Sequence, residues 1–479
     1  MQESITSKSP GRPPEDGSET RATLLARFGG RIADLTEKYF PDAFVFALAI
    51  VAIVFIAGLA VGEGPLTLAQ EFGNGFWVLI PFTMQMVLII IGGFVVAASK
   101  PCSRLITMLA NVPASPRGAV GFVAFFAMTT SLFSWGFSLI FTGLLVREIV
   151  RRVEGVDYRA IGAAAYLGLG SVWALGLSSS SALMQATPSS IPDALLPITG
   201  VIPLTQTIFL WQNVVLAVVL IAASVAIAYY SCPQPQHAKT AASMGVEFEP
   251  MTIEEDPPQT PAEKLERSPV LTIFVSLLLI VYLAFEFGQR GIGAALDLNT
   301  FNLIFITLGL LLHWRPRSFL KAVSKSVPAT AGVIIQFPFY AGVFGMISNT
   351  SLEERLANLF VDIATQGTFP IVVAIYSIIL GVFIPSGGGK WVLEAPYVMS
   401  AANELEVHLG WTVQIYNAAE TLPNLMNPFW MLPLMGILNV KARDLAGYSI
   451  LQLIFHIPIV LFFCWLFAQT LGYTPPQMP

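Results

Sequence analysis

Small polar residues and glycines interrupt four otherwise apolar stretches of the chain, and binding chemistry is expected at these interruptions. Two of them lie inside long apolar runs, at 134–137 and 385–389. The other two are 176–188, which contains four consecutive serines, and 420–428, which contains a glutamate and two asparagines. The candidate substrate- or ion-binding residues are Ser134, Trp135, Gly136, Ser178, Ser179, Ser180, Ser386, Gly387, Gly388, Gly389, Glu420, Asn424 and Asn427.

These residue types favour the binding of a small anion together with a cation. Glycine permits close backbone approach, and the free amides at the N-terminus of a half-helix attract an anion. Serine hydroxyls and asparagine amides add donors, while bare carbonyls can hold Na⁺. A small carboxylate is expected between the four interruptions, with its alkyl tail against Trp135, Phe137 or Trp391. Packing and turn roles stay open, because serine and glycine also let membrane helices approach one another.

Three charged residues lie close to these interruptions, at positions where ionisable groups are costly and often functional. Glu420 is a candidate proton carrier or cation ligand, with a buried acid bonded to a neighbouring hydroxyl as the alternative. Lys390 and Glu394 are four residues apart, so on a helix they are expected to pair with each other.

The composition requires a lipid bilayer around these residues. The chain has 479 residues, of which 55% are hydrophobic and 11% charged, against about 25% charged in soluble domains. Apolar runs of about 20 residues recur, each long enough to cross a bilayer. A soluble enzyme, a nucleic-acid binder and a disordered protein are excluded. The three cysteines and four histidines have no metal-ligand spacing, so no metal or cofactor is expected.

Loop charges predict about nine transmembrane helices plus two re-entrant hairpins. Lys and Arg stay cytoplasmic, and the tail 1–41, with six of them, is predicted to be inside. Basic loops flank the run 118–146 on both sides, and acidic loops flank the run 369–402. Each run is too long for one crossing. Both are therefore predicted to be hairpins, entering from opposite faces.

An offset of 251 residues pairs marked positions of the two halves, such as Gln85 with Gln336 and Gly136 with Gly387. The glutamines are expected to bond neighbouring helices. One connecting span makes the second repeat enter the membrane inverted, which is typical of secondary transporters. The predicted organisation is a disordered cytoplasmic tail 1–27, a first repeat 28–230, a cytoplasmic linker 231–269, a connecting span 270–298, a second repeat 299–470 and a C-terminal tail 471–479.

Several runs resemble the prokaryotic short-chain fatty acid transporter family, and the likeness covers most of 28–470. The resemblance implies uptake of acetoacetate- and butyrate-type acids at the cytoplasmic (inner) membrane. The family is similar to a wider ion-transporter superfamily, which implies a homodimer, elevator-like movement of a hairpin domain, and Na⁺ or H⁺ as coupling ion. The runs include Ser134-Trp135-Gly136-Phe137, Gln336-Phe337-Pro338-Phe339-Tyr340 and Pro385-Ser386-Gly387-Gly388-Gly389.

The sequence therefore predicts an all-α polytopic membrane protein that imports short monocarboxylates with a cation. A carrier of other small organic anions, such as dicarboxylates or amino-acid-like anions, is the alternative within transport. Those need two charge-neutralising groups, and the four interruptions contain no arginine. A membrane-embedded acyl hydrolase or transferase is disfavoured, because no histidine lies beside the serine run in the sequence. The expected partners are a small carboxylate, the lipid bilayer and a second copy of the chain, and no nucleic acid.

Overall fold

The computed structural model describes residues 43–246, 260–384, 386–427 and 429–478, and over these ranges its regular secondary structure is helical. The predicted tail 1–27, part of the linker 231–269, and the residues Pro385 and Pro428 lie outside the described residues.

The last described helix of the first half, Trp211–Ser231, is long and apolar and precedes the linker. Between α7 and α8 the helix is broken by a π-helical turn, Gly168–Val172, and a 3₁₀ turn, Trp173–Leu175. The α-helices are α1 (Ala43–Ala60), α2 (Pro65–Gly75), α3 (Ile80–Ala97), α4 (Lys100–Leu109), α5 (Pro116–Ser131), α6 (Trp135–Val150), α7 (Tyr158–Leu167), α8 (Ser180–Ala186), α9 (Leu196–Thr199) and α10 (Trp211–Ser231).

The second half follows a similar order. A 3₁₀ turn, Leu422–Leu425, follows α19 and lies within the predicted interruption 420–428. Proline at 423 has no backbone N–H to continue the helix. The α-helices are α11 (Pro261–Glu266), α12 (Val270–Ala295), α13 (Leu298–His313), α14 (Pro316–Ser326), α15 (Ala331–Ser348), α16 (Leu352–Ile363), α17 (Phe369–Phe383), α18 (Gly387–Glu404), α19 (Leu409–Thr421), α20 (Leu432–Leu438) and α21 (Ala442–Ala468).

Helix bounds and helix packing both repeat between the halves. The bounds of α14 and α15 are those of α2 and α3 displaced by the 251-residue offset. The helix α3 packs on α6 as α15 packs on α18, and α5 packs on α7 as α17 packs on α19. Between the halves, α1 and α2 contact α15, while α13 and α14 contact α3. This exchange of partners is what a twofold-like relation between the halves produces.

Serine side chains begin the helices that follow three of the breaks. Ser134 Oγ accepts from the Phe137 amide at 3.3 Å, and Ser386 Oγ accepts from the Gly389 amide at 3.2 Å. Ser179 Oγ accepts from the amide of Ala182 at 3.2 Å. Each bond satisfies an amide that has no acceptor within its helix. The small polar residues therefore end one helix and begin the next.

Six helical segments of the described chain are long and apolar enough to cross a membrane, and three shorter helices are apolar. The outer helix α12 exposes large apolar side chains, among them Phe274, Val281 and Phe285, whereas α7 and α19 are buried. An apolar outer surface suits contact with lipid. The six are Ile80–Ala97, Tyr158–Ala186, Trp211–Ser231, Pro261–Gly291, Ala331–Ser348 and Ala442–Ala468; the three are Ala47–Ala60, Leu298–His313 and Phe369–Val382.

Candidate functional site

A cavity lies where the four interruptions meet, and it contains about 40 Å³ of space in which a water molecule can be centred. Its apolar wall comes from α3, the π turn and α15. Its other wall comes from the turns before α6 and α18, the serine run and the break after α19. The lining residues are Met86, Ile89, Ile90, Trp135, Leu169, Trp173, Ser180, Val333, Phe337, Ser386, Gly387, Gly388, Asn424 and Trp430.

At the turn before α6, Trp135 lines the cavity, whereas the predicted binding residues Ser134 and Ser178 accept hydrogen bonds from backbone amides. The Trp135 amide donates to Ser178 Oγ at 2.7 Å, and Ser134 caps α6. A Cβ on Gly136 would lie 3.7 Å from its nearest neighbour, an ordinary contact. A Cβ on Gly93 of α3 would lie 2.7 Å from the Phe137 nitrogen. Gly93 is therefore the glycine that lets α3 pack closely against the start of α6, and it is not among the residues predicted from the sequence.

At the second turn, the glycines are required by the side chains packed on them. A Cβ on Gly388 would lie 2.9 Å from Phe82 Cζ, and one on Gly387 would overlap the ring of Trp173. Gly389 lies against the Tyr340 ring and does not line the cavity. The amides of Gly387 and Gly388 belong to the first turn of α18, whose N–H groups have no acceptor within the helix. Such amides attract anions.

In the serine run, Ser180 lines the cavity. Ser179 caps α8, and Ser181 Oγ bonds to Asn417 Oδ1. The break also supplies Trp173, which the sequence missed, although a tryptophan beside a glycine-rich helix interruption was a usable signal. The Trp173 Nε1 is buried and finds no hydrogen-bond partner among the described residues.

In the second break, Asn424 lines the cavity and Asn427 is buried without lining it. The side-chain oxygen of Asn424 is buried and unpartnered within the described ranges. Its backbone carbonyl accepts from Tyr166 at 3.1 Å, which fixes the break against α7. The cavity thus offers a buried indole donor and a buried amide oxygen that no described residue engages.

A chain of buried amides, which the sequence missed, connects the serine run to α10. Gln414 Nε2 donates to Asn213 Oδ1 at 2.6 Å, and Asn417 Nδ2 donates to Gln414 Oε1 at 2.7 Å. The chain ends at Ser181 on Asn417. Because each link satisfies a buried polar group, the chain fixes α8 and α19 relative to α10.

Glu420 does not line the cavity but joins a buried ion cluster, here called the Lys390 cluster, of Lys390, Glu394 and Glu420. Lys390 Nζ lies 3.1 Å from Glu394 Oε1 and 2.6 Å from Glu420 Oε2. Lys390 and Glu394 have no exposed side-chain surface and Glu420 has 2%. The predicted Lys390–Glu394 pair is confirmed. The sequence missed Glu420 as its third member, because that contact joins two different helices.

The Lys390 cluster is connected to α17 and to the cavity. Ser377 Oγ donates to Glu394 Oε2 at 2.6 Å, and Lys390 Nζ donates to the Ser377 carbonyl at 2.7 Å. The ammonium lies 4.7 Å from the centre of the Tyr416 ring, a cation–π arrangement. The Tyr416 hydroxyl donates to the Gly387 carbonyl at 2.6 Å. One hydrogen bond therefore separates the aromatic partner of Lys390 from a residue of the cavity wall.

Other polar groups marked in the sequence hold helices together. Gln85 donates to Asn299 Oδ1 at 2.7 Å and accepts from Ser190 Oγ at 2.9 Å, as expected of a helix-bonding amide. His456 Nε2 lies 2.8 Å from Ser224 Oγ, away from the serine run. Within the described ranges, His, Cys, Asp and Glu side chains form no group of three or more able to hold a metal ion.

The sequence model of a family described as "Short chain fatty acid transporter" matches residues 24–467 of this chain. A protein of Escherichia coli (strain K12), provisionally named a short-chain fatty acid transporter, is 33% identical over 435 residues, covering 90% of this chain and 97% of its own. A protein of Haemophilus influenzae with the same provisional name is 32% identical over 452 residues, covering 91% and 99%.

Two solved transporters have a similar fold. MtrF of Neisseria gonorrhoeae, described as belonging to a class of antimetabolite efflux pumps, aligns with a TM-score of 0.58 at 12% identity, covering 94% of this chain and 100% of its own. The YdaH transporter of Alcanivorax borkumensis aligns with a TM-score of 0.54 at 13% identity, covering 89% and 97%. At these identities the likeness concerns the fold alone.

Proposed function

The chain belongs to the short-chain fatty acid transporter family, and on that premise we propose that it carries acetoacetate- and butyrate-type monocarboxylates across the prokaryotic cytoplasmic membrane. The family is one of membrane transporters rather than enzymes. The observation that carries the proposal is one cavity with an apolar wall and a polar wall, built where four helix interruptions meet.

The two walls suit the two ends of a short fatty acid. The carboxylate lies at the amides of Gly387 and Gly388, with Ser180 and the Trp173 N–H as further donors. The alkyl tail lies against Ile90 and Phe337. Among the described residues that line the cavity none is Lys or Arg, so the polar wall has partial positive charge for one carboxylate rather than two. This favours a monocarboxylate over a dicarboxylate.

Substrate movement is proposed to be elevator-like. The moving part comprises the helical hairpins α5–α6 and α17–α18 with the broken helices that follow them. The fixed part includes α3 and α15, which form the apolar wall. The cavity thus lies at the boundary between the two parts, which is where sliding alternates its exposure. The proposed assembly is a homodimer, coupled to a Na⁺ or H⁺ gradient.

The proposed orientation has the N-terminus in the cytoplasm and the two hairpins re-entering from opposite faces. The exchange of packing partners between the halves supports this, since α13 and α14 contact α3 as α1 and α2 contact α15. The connecting helix α12 adds the one crossing that inverts the second half.

Uptake by the purified protein in proteoliposomes tests the proposal. Labelled acetoacetate and butyrate are expected to enter faster than into protein-free vesicles, which measure passive permeation of the neutral acids. Gly388→Trp fills the space beside Phe82 and is expected to abolish this excess. The matched control is Gly367→Trp, at a glycine where an added Cβ would meet nothing within 4 Å.

Two results contradict the proposal. Wild-type-like uptake by Gly388→Trp removes the second hairpin from the mechanism. Inhibition by dicarboxylates but not by unlabelled butyrate replaces the substrate class. Separate imposition of Na⁺ and pH gradients identifies the coupling ion.

A further inference from the structure

We propose that the Lys390 cluster is a one-proton site whose occupancy is coupled to binding of the substrate carboxylate; this rests on the transport function proposed above. The site is formed by the second hairpin, which contributes Lys390 and Glu394, and by the end of α19, which contributes Glu420.

The number of charges in the cluster is odd. One ammonium faces two carboxylates, at 3.1 and 2.6 Å, and all three side chains are buried. With both carboxylates ionised, the protein interior would hold one uncompensated negative charge, which is strongly unfavourable. One proton on the Glu394–Glu420 pair removes it. Because the two carboxylates share one ammonium, the proton belongs to the pair rather than to either residue.

The other ionisable groups that interact with the pair are phenols. Tyr340 of α15 and Tyr416 of α19 interact with Glu420, and Tyr376 of α17 and Tyr397 of α18 interact with Glu394. Phenols are neutral near pH 7. Among the residues that the structure describes, Lys390 is the cation that faces the pair. These neighbours leave the excess charge of the cluster in place.

The substrate anion provides the coupling. Its carboxylate lies at Gly387 and Gly388, in the first turn of the helix that carries Lys390. A second negative charge so near the cluster favours the protonated form of the carboxylate pair. By linkage, the protonated pair then favours binding of the anion by the same factor. Tyr416 connects the two sites, because its ring faces Lys390 and its hydroxyl donates to the Gly387 carbonyl.

The proton balance is simple. A proton from water on one side of the membrane forms an O–H bond with one oxygen of the Glu394–Glu420 pair and leaves a neutral carboxyl group. On the other side, after the substrate has left, that O–H bond breaks and the proton returns to water. The carboxylate is regenerated, so one proton and one anion move together.

Binding measured in detergent tests the coupling without passive leakage of acid. The full-length protein is titrated with acetoacetate between pH 5.5 and 8.5, and binding is followed by fluorescence of the cavity tryptophans, Trp135, Trp173 and Trp430. Affinity is expected to fall by up to tenfold per pH unit on the alkaline side. Glu394→Gln and Glu420→Gln are expected to flatten this dependence. The control Glu353→Gln, at a half-buried carboxylate bonded to Ser400 instead, is expected to retain it.

A second measurement does not depend on the variants folding. A pH indicator in weakly buffered solution at the alkaline end of that pH range, where the empty pair has lost its proton, is expected to report uptake of up to one proton per wild-type protomer when the anion binds. No uptake, or an affinity that follows Na⁺ and not pH, overturns the inference and leaves the transport function standing.

Each remaining outcome overturns either this inference or the proposed function. A pH slope that persists in both glutamine variants means that the substrate brings the proton as its neutral acid, and overturns the inference. Loss of binding at every pH in folded glutamine variants makes the cluster part of the binding framework, which also overturns it. No binding by the wild type contradicts the proposed function itself.

Discussion

Gly388→Ala adds a single methyl group at the point where the first turn of α18, α3 and the serine run meet. The new Cβ would lie 2.9 Å from Phe82 Cζ and 3.3 Å from Ser180 Cβ. Phe82 is fully buried and stacked on Phe337 with ring centres 5.7 Å apart, so its ring has little freedom to move. The methyl group therefore strains this packing and narrows the cavity that Gly388 lines.

The size of the expected effect of Gly388→Ala follows from the free-energy cost of overpacking. An extra methylene in a packed interior costs about 1–3 kcal/mol. Where that strain opposes the bound substrate, it weakens binding by a factor of about 5 to 150. Strain that the empty protein already bears instead lowers its free energy of unfolding. Because the 2.9 Å approach to Phe82 is present without substrate, Gly388→Ala is expected to lower both the affinity for acetoacetate and the free energy of unfolding.

The assay is tryptophan fluorescence titration together with thermal unfolding of the same samples. Gly436→Ala is the matched control, since nothing lies within 4 Å of a Cβ at this position in α20. It is expected to bind normally and to gain up to about 1 kcal/mol of helix stability. If Gly388→Ala binds acetoacetate as tightly as the wild type and unfolds at the same temperature, the reasoning that places the substrate at this turn is wrong.

Three further predictions concern other contacts. Trp173→Phe removes the unpartnered N–H and the outer ring atoms that lie against Gly387. Affinity is expected to fall about tenfold, with a lower melting temperature from the space left behind; an unchanged affinity excludes this donor from the site. Asn417→Ala removes the acceptor of Ser181 Oγ and the donor to Gln414 Oε1, and it is expected to lower the free energy of unfolding by about 1–3 kcal/mol in thermal or denaturant melts. An unshifted melt contradicts a structural role for the amide chain. Hydrogen bonds from the Ser351 side chain and backbone lower the pKa of Glu63 below its ordinary 4.5. The stabilisation they give the fold is therefore present above about pH 4.5 and is lost as the pH falls through the lower folded-state pKa. Glu63→Gln is expected to reduce this loss of stability in melts from pH 3 to 6, and identical profiles of the two proteins refute the prediction.

Much of the fold followed from patterns that are local in the chain. The interruptions were visible because serine, glycine and proline end helices wherever they stand, and Ser134 and Ser386 cap new helices as their types suggest. The 251-residue offset was visible because helix bounds are set by local residues, as in α3 and α15. The pair of Lys390 and Glu394 was also predictable, since a four-residue spacing places two side chains on one helix face.

Which polar residues line the cavity was decided only by packing in three dimensions. Within the run of serines at 178–181, Ser180 lines the cavity while Ser178, Ser179 and Ser181 bond to the backbone, a neighbouring serine or Asn417. No spacing rule separates these serines, because the direction of each side chain depends on a non-regular segment. Trp173 was missed for the same reason.

The Lys390 cluster shows most clearly what cannot be predicted from the sequence alone. Its amino acids are charged and lie in apolar runs, which alone marks Glu420, Lys390 and Glu394 as costly and therefore worth attention. The 2.6 Å contact between Lys390 and Glu420 joins α18 to α19 and arises only when those helices pack. Local chemistry determined where helices break and which residues are functional candidates; the tertiary structure determined which of them meet, because contacts between distant segments depend on the packing of whole helices.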